Sequence, residues 1–258
     1  HYLIAALATG VMMLSGPASA DQKPTIVLVH GAFADSSSWN GVIKDLQADG
    51  YSVVAAANPL RSVKADARSV ASVIASIKGP VVLVGHSYGG SVISAAATGH
   101  VNVKALVYVS GFAPDKGESA IQLTGKFPGS TLGAALAAPV ALPNGGTDLY
   151  IDQVKFHDQF AADVPEAEAS LMAAGQRPVA EAALKEPAGV PAWKEKPSWF
   201  VYGDADKNIP PEGMKWMAQR AGSKETVIVK GASHVVMVSQ PDTVADVIEK
   251  AAKGTTDQ

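Results

Sequence analysis

Residues 81–91 read Val81-Val82-Leu83-Val84-Gly85-His86-Ser87-Tyr88-Gly89-Gly90-Ser91. The apolar, mostly β-branched run before Gly85 predicts a buried strand, and the spacing from Ser91 to Thr98 predicts a helix. Between them a G-x-S-x-G turn must pass from strand to helix within a few residues. So sharp a turn crowds its flanks, which glycines relieve, and it pushes the serine hydroxyl out at the top of the sheet. The helix N-terminus beside the serine offers free N–H groups and a dipole that favour developing negative charge. A merely structural serine would need neither the strand nor the helix. Ser87 is therefore the candidate nucleophile.

Working outward, short β-branched runs alternate with longer helical patterns from residue 24 on, the pattern of a parallel sheet with crossover helices. Strands are expected at Thr25 to His30, Ser52 to Asn58, Pro80 to Gly85, Val103 to Ser110, Ser198 to Gly203 and Thr226 to Val229. Each is a nearly continuous apolar run, as for strands covered on both faces. Helical spacing covers Trp39 to Ala48, Lys64 to Ile77, Ser91 to Thr98, Glu212 to Ala221 and Thr243 to Ala252, with Asp242 as a predicted N-cap. Residues 112–196 break the rhythm with frequent prolines and Ala-rich stretches such as Glu166 to Ala174 and Val179 to Leu184. Structureless loops beyond about 15 residues are uncommon in compact domains, so this stretch is expected to be a helical cap over the sheet.

Three other expected strand ends carry chemistry-bearing residues. His30-Gly31-Ala32-Phe33 follows the first, Tyr202-Gly203-Asp204-Ala205-Asp206 ends the fifth, and Gly231-Ala232-Ser233-His234 follows the last. The first turn can donate the Ala32 N–H to an oxyanion, with the Tyr88 N–H as second donor. His234 is the candidate base, and either Asp204 or Asp206 can supply the supporting carboxylate. His30 and His86 sit in turns beside glycine and are read as structural; His100 and His157 are read as surface or packing residues.

His30-Gly31-Ala32, Gly85 to Gly90, and the His234 segment running into Ser239-Gln240-Pro241 together resemble the α/β-hydrolase superfamily from about residue 24 to the end. Within it they are similar to the branch holding plant methyl-ester esterases, hydroxynitrile lyases and many small bacterial hydrolases. The resemblance implies an α/β fold with a mostly parallel sheet of about six strands. It also implies a triad in the chain order Ser87, Asp206, His234, because the family's Gly-x-x-Asp pattern falls on residues 203–206. Only residues 21–24 stand between an expected leader and the first strand, so the leading antiparallel strands of the fuller family pattern are not expected.

That leader is residues 1–20: an apolar run from Leu3 to Leu14, then Ser15-Gly16-Pro17 and a small-residue Ala18-Ser19-Ala20 cleavage pattern. About twelve apolar residues fall short of the roughly 20 that span a bilayer, so an exported mature chain of residues 21–258 is expected, without a membrane span. There is no cysteine, hence no disulfide. With 47% apolar and 17% charged residues, a net charge of −3 and no Lys/Arg cluster, the chain lacks the footprint of a nucleic-acid binder.

The expected reaction is hydrolysis of a small carboxylic ester through an acyl-enzyme, requiring no metal or organic cofactor. An acyltransferase on the same triad is the second reading. Hydroxynitrile-lyase chemistry, which in the related family uses a lysine close after the histidine, fits less well because Val235-Val236-Met237-Val238 follow His234. A catalytically silent ligand receptor need not keep all three triad members. Dehalogenases and epoxide hydrolases of this superfamily use an aspartate where Ser87 stands. Phe33 beside the first turn, and Phe112, Phe156, Phe160 and Trp193 of the cap, are the candidate substrate-binding residues.

Overall fold

The computed structural model describes residues 22–255. The expected leader, residues 1–20, lies outside them. The chain begins β1 (Thr25–Val29), α1 (Asn40–Ala48), β2 (Val53–Ala56), α2 (Val63–Ser76), β3 (Val81–His86), α3 (Tyr88–Ala96) and β4 (Val103–Val109). It then leaves the sheet for α4 (Ala120–Gly125), α5 (Leu132–Ala135), β5 (Val140–Ala141), β6 (Thr147–Leu149), α6 (Gln153–Phe160), α7 (Glu166–Gly175), β7 (Val179–Ala180) and α8 (Glu181–Lys185). It returns through β8 (Ser198–Gly203), α9 (Pro211–Arg220), β9 (Thr226–Val229), α10 (Val236–Ser239) and α11 (Pro241–Gly254).

Six strands form one sheet in the order β2-β1-β3-β4-β8-β9, and every pairing is parallel. This is the α/β-hydrolase fold, as expected. Continuous apolar strands need cover on both faces, and the central strands have it: every residue of β3 and β8 is buried. The edge strands depart from the expectation of two-sided cover, since β2 and β9 leave Val54 and Ile228 exposed among the described residues. Ser62 caps α2 by accepting from the Ala65 N–H, and α11 buries the stripe Val244, Val247, Ile248 and Ala251.

Three expectations are corrected. Helix α3 starts at Tyr88 rather than near Ser91, so the helix opens immediately after the serine. Asp242 is not an N-cap. Gln240 holds that position and Pro241 the first helical one, leaving Asp242 in the first turn, where its charge complements the helix dipole. The 112–196 stretch is not purely helical, because β5-β6-β7 form a small antiparallel sheet. The expected helix from Val179 to Leu184 is split accordingly. Val179 pairs with Leu149 and the Ala180 N–H donates to the Leu60 carbonyl, so tertiary pairing overrides the helical propensity of the Ala-rich run. Among the described residues no helix is long and apolar enough to cross a membrane.

Candidate active site

Ser87 is the single residue between β3 and α3. Its backbone sits at φ 53° and ψ −123°, a region that costs a non-glycine residue energy and persists only where its surroundings impose it. Those surroundings are tight. A Cβ on Gly89 would lie 2.4 Å from the Val29 carbonyl oxygen, and one on Gly31 would lie 2.8 Å from Ser87 Cβ. Glycine at these two positions lets the turns after β1 and β3 close on each other, which brings Ala32 beside the serine. Among the described residues neither the Ala32 nor the Tyr88 N–H is used by a turn hydrogen bond, so both can serve as donors. The Tyr88 side chain points elsewhere, its hydroxyl donating to Asp66 Oδ2 at 2.6 Å. Burial raises the Asp66 carboxyl, and burial followed by Asp66 raises the Tyr88 phenol, so the proton stays on the tyrosine and the start of α3 is anchored to α2.

The turns after β8 and β9 bring the other candidates together. His234 Nδ1 lies 2.6 Å from Asp206 Oδ2, with both side chains wholly buried. Asp206 Oδ1 accepts from the Asn208 and Ile209 N–H groups at 2.8 and 2.9 Å. Its carboxylate is thus oriented by three hydrogen bonds and presents an acceptor to the imidazole, which fixes the proton on Nδ1. Asp204 is exposed and accepts from the Gly231 N–H at 2.6 Å, tying one loop to the next. His234 Nε2 is buried without a hydrogen-bond partner. Ser87 Oγ and His234 Nε2 are therefore not bonded to each other in this structure; such contacts are often loose before substrate binds.

Of the other described histidines, His30, His86 and His157 are held by ring hydrogen bonds. His86 Nε2 donates to the His234 carbonyl at 3.0 Å, and burial, then His234, pushes the ring well below its usual pKa. A neutral His86 thus steadies the base from behind. His30 Nδ1 donates to the Gly31 carbonyl at 2.9 Å while Nε2 accepts from the Asn58 N–H at 3.0 Å. His157 donates to Val164 O, and the carbonyl of His100 accepts from Lys196.

A cavity of about 280 Å³ opens above Ser87, bounded by Ala32, Tyr88, Phe33 and Phe112 and, from the 112–196 stretch, by aliphatic residues including Ile121, Leu132, Leu149 and Leu184. Phe156, Phe160 and Trp193 do not line it. Phe156 and Phe160 are wholly buried with ring centroids 4.8 Å apart, and Phe160 lies 5.3 Å from the His234 ring as an apolar cover over the base. Trp193 donates from Nε1 to Pro114 O at 2.9 Å and packs beneath Arg220. All three are packing residues here, because helical spacing marks a buried face without saying what it faces.

Gln159 and Asn208 went unmarked in the sequence. Gln159 Nε2 donates to Asn208 Oδ1 at 2.8 Å and Lys207 O at 3.0 Å, so α6 grips the loop that carries Asp206. A glutamine beside Phe156 and Phe160 on one helical face was the available signal, since a buried amide must find partners.

The profile described as Alpha/beta hydrolase family matches residues 26–247. The chain belongs to that family. Across nearly its whole length this hydrolase is similar to the Alpha/beta hydrolase nvfD of Aspergillus novofumigatus, 27% identical over 89% of this chain and 97% of that one. The Esterase PIR7B of Oryza sativa subsp. japonica is 25% identical over 91% and 97%, and the Alpha-hydroxynitrile lyase of Arabidopsis thaliana 24% over 90% and 98%. Among solved structures, polyneuridine aldehyde esterase superposes with a TM-score of 0.77 at 21% identity over 89% of this hydrolase and 99% of that chain. A pyrethroid hydrolase from Sphingobium faniae JZ-2 gives 0.71 at 22% over 91% and 99%.

Proposed function

We propose that this hydrolase is a serine esterase acting on small carboxylic esters. Ser87 Oγ attacks the ester carbonyl while His234 Nε2 takes its proton, and the Ala32 and Tyr88 N–H groups receive the developing oxyanion. The imidazolium, held by Asp206, then protonates the leaving alcohol. Water attacks the acyl-enzyme with the same base and frees the acid. The observation that carries this reading is the Asp206–His234 hydrogen bond of 2.6 Å, which occupies Nδ1 and leaves Nε2 as an unengaged base in the loop that His86, the neighbour of Ser87, holds by its carbonyl. Lyase chemistry in the related branch uses a lysine close after the histidine, whereas Val235 to Val238 follow His234, and among the described residues no lysine or arginine lines the cavity. Esters named for the relatives support the class alone.

An organophosphonate should label Ser87 stoichiometrically, and a panel of methyl and p-nitrophenyl esters of graded acyl length should be turned over. Labelling at another serine, with turnover kept in Ser87→Ala, would overturn the assignment. Export is a separate proposal, resting on the apolar run and Ala18-Ser19-Ala20. Expressed with its own start in its source cell, the mature protein should begin at Asp21 outside the cytoplasm; an intact leader on a cytosolic protein refutes it.

A further inference from the structure

Among the described residues, Glu181, the first residue of α8, is the one carboxylate on the wall of the cavity that holds Ser87. Around it the wall is mostly aliphatic, with a few neutral polar groups such as Thr124, Ser130 and Asn208, and no cationic side chain. The carboxylate is held in place: Oε2 accepts from Thr147 Oγ1 at 2.7 Å and Oε1 meets Lys185 Nζ at 2.9 Å. Lys185 is itself 58% exposed and stays outside the wall. Hydrogen bonds from Lys185 and then Thr147 draw the Glu181 carboxyl below its usual range, so it is ionised across the neutral pH range.

We infer that Glu181 makes the cavity selective for charge, so that the arm of the ester entering it is uncharged and arms ending in a carboxylate or phosphate are excluded. The inference rests on the esterase reading. An anionic arm would give up its hydration to a mostly aliphatic wall and approach a charge of its own sign that Lys185 and water, at 37% exposure, only partly offset. An uncharged alkyl or aryl arm meets none of these costs and covers aliphatic wall instead.

Two matched ester pairs test this whichever arm enters: ethyl hexanoate against monoethyl adipate, and hexyl acetate against its analogue whose alkyl chain ends in a carboxylate. Wild type should prefer the uncharged member of at least one pair, less strongly at high salt. Glu181→Gln keeps an acceptor for Thr147. It should raise the kcat/KM ratio of the charged to the uncharged member of that pair several-fold. Binding measured without turnover separates the two readings, with hexanamide expected to stabilise wild type more than hexanoate does and Glu181→Gln to erase the difference. Should that binding pattern hold while no ester is turned over, the esterase reading fails and the charge selection stands. Equal use of both members by wild type, or ester ratios and binding unmoved in Glu181→Gln, overturns the charge selection while turnover preserves the esterase reading.

Discussion

Strands β1, β3 and β4 pair over five and six positions, with one register shift between Val81 and Val82, and bury nearly every side chain, whereas β5, β6 and β7 of the 112–196 stretch pair over two positions at a time. The sheet body is ordered by continuous apolar burial. The 112–196 stretch docks on that body through apolar anchors such as Phe160 against Phe33 and His234, and through separate polar ties: Arg61 to Asp148 at 2.8 Å, Glu186 accepting from the N–H groups of Val63 and Lys64 at the start of α2, and Gln159 gripping the Asp206 loop. The contrast teaches a division of labour. Every candidate for the chemistry sits on a turn of the rigid body, while the aliphatic walls that would meet a substrate come mostly from the tethered stretch.

Removing chemistry from the body should cost most. Ser87→Ala should abolish phosphonate labelling and lower kcat by about 10⁶ in a protein that stays folded by circular dichroism. Residual turnover near wild type would place the chemistry elsewhere. Next comes the acid. Asp206→Asn presents a donor where the imidazole needs an acceptor, so kcat should fall by roughly 10⁴ in a protein still folded by circular dichroism. Asp204→Asn weakens only the tie to the Gly231 N–H and should show its effect in stability, about 1 kcal/mol in denaturant titration. Reversed phenotypes would exchange the two roles.

Crossing the boundary between the regions should have intermediate effects. Gln159→Leu removes the bonds to Asn208 Oδ1 and Lys207 O and the acceptor of Thr131 Oγ1, at a cost of about 1–3 kcal/mol, and should lower kcat more than it raises KM because it loosens the acid's loop. An effect on KM alone would mean the tie serves the cavity and not the acid. On the tethered wall, Ile121 is half-exposed and tolerant of size. Ile121→Trp should cut kcat/KM for long-chain esters several-fold relative to short ones with an unchanged melting temperature, since filling a wall acts on fit rather than on folding. Unaltered selectivity would remove that wall from the site.

The smallest effect belongs to the body alone. Burial, reinforced by Asp49, raises the Glu249 carboxyl to about 7. Folded protein then holds a proton that the unfolded chain gives up near its ordinary value of 4.5, so stability falls as pH rises between those values. Glu249→Gln should match wild type in acid and exceed its melting temperature by no more than a few degrees above pH 7. A gap that widens toward acid would reverse the sign.

Legibility followed the same division. The body's strands were readable because burial on two faces writes an unbroken β-branched run, as in Thr25–Val29 and Val81–His86. Two-residue strands such as Val179–Ala180 have no period of their own; the pairing partner makes them, so an Ala-rich stretch there reads as helix. Phe156 and Phe160 showed a buried helical face but not its neighbour, which is the base rather than the cavity. Asp204 and Asp206 stand two residues apart after the same glycine, and only the third dimension gives one the Gly231 amide and the other the imidazole. Glu181 had no signal, because a charge at a helix start usually faces water.

The bond from His86 to the carbonyl of His234 joins residues 148 positions apart. On a ribosome adding about 5–20 residues each second, the serine turn emerges roughly 7–30 seconds before its base has been made. Through that interval the nascent chain carries the hydroxyl without the imidazole that would activate it. Competence is a property of the finished polypeptide, and recovery of turnover after denaturation should trail the return of secondary structure, reporting on the last docking step of folding.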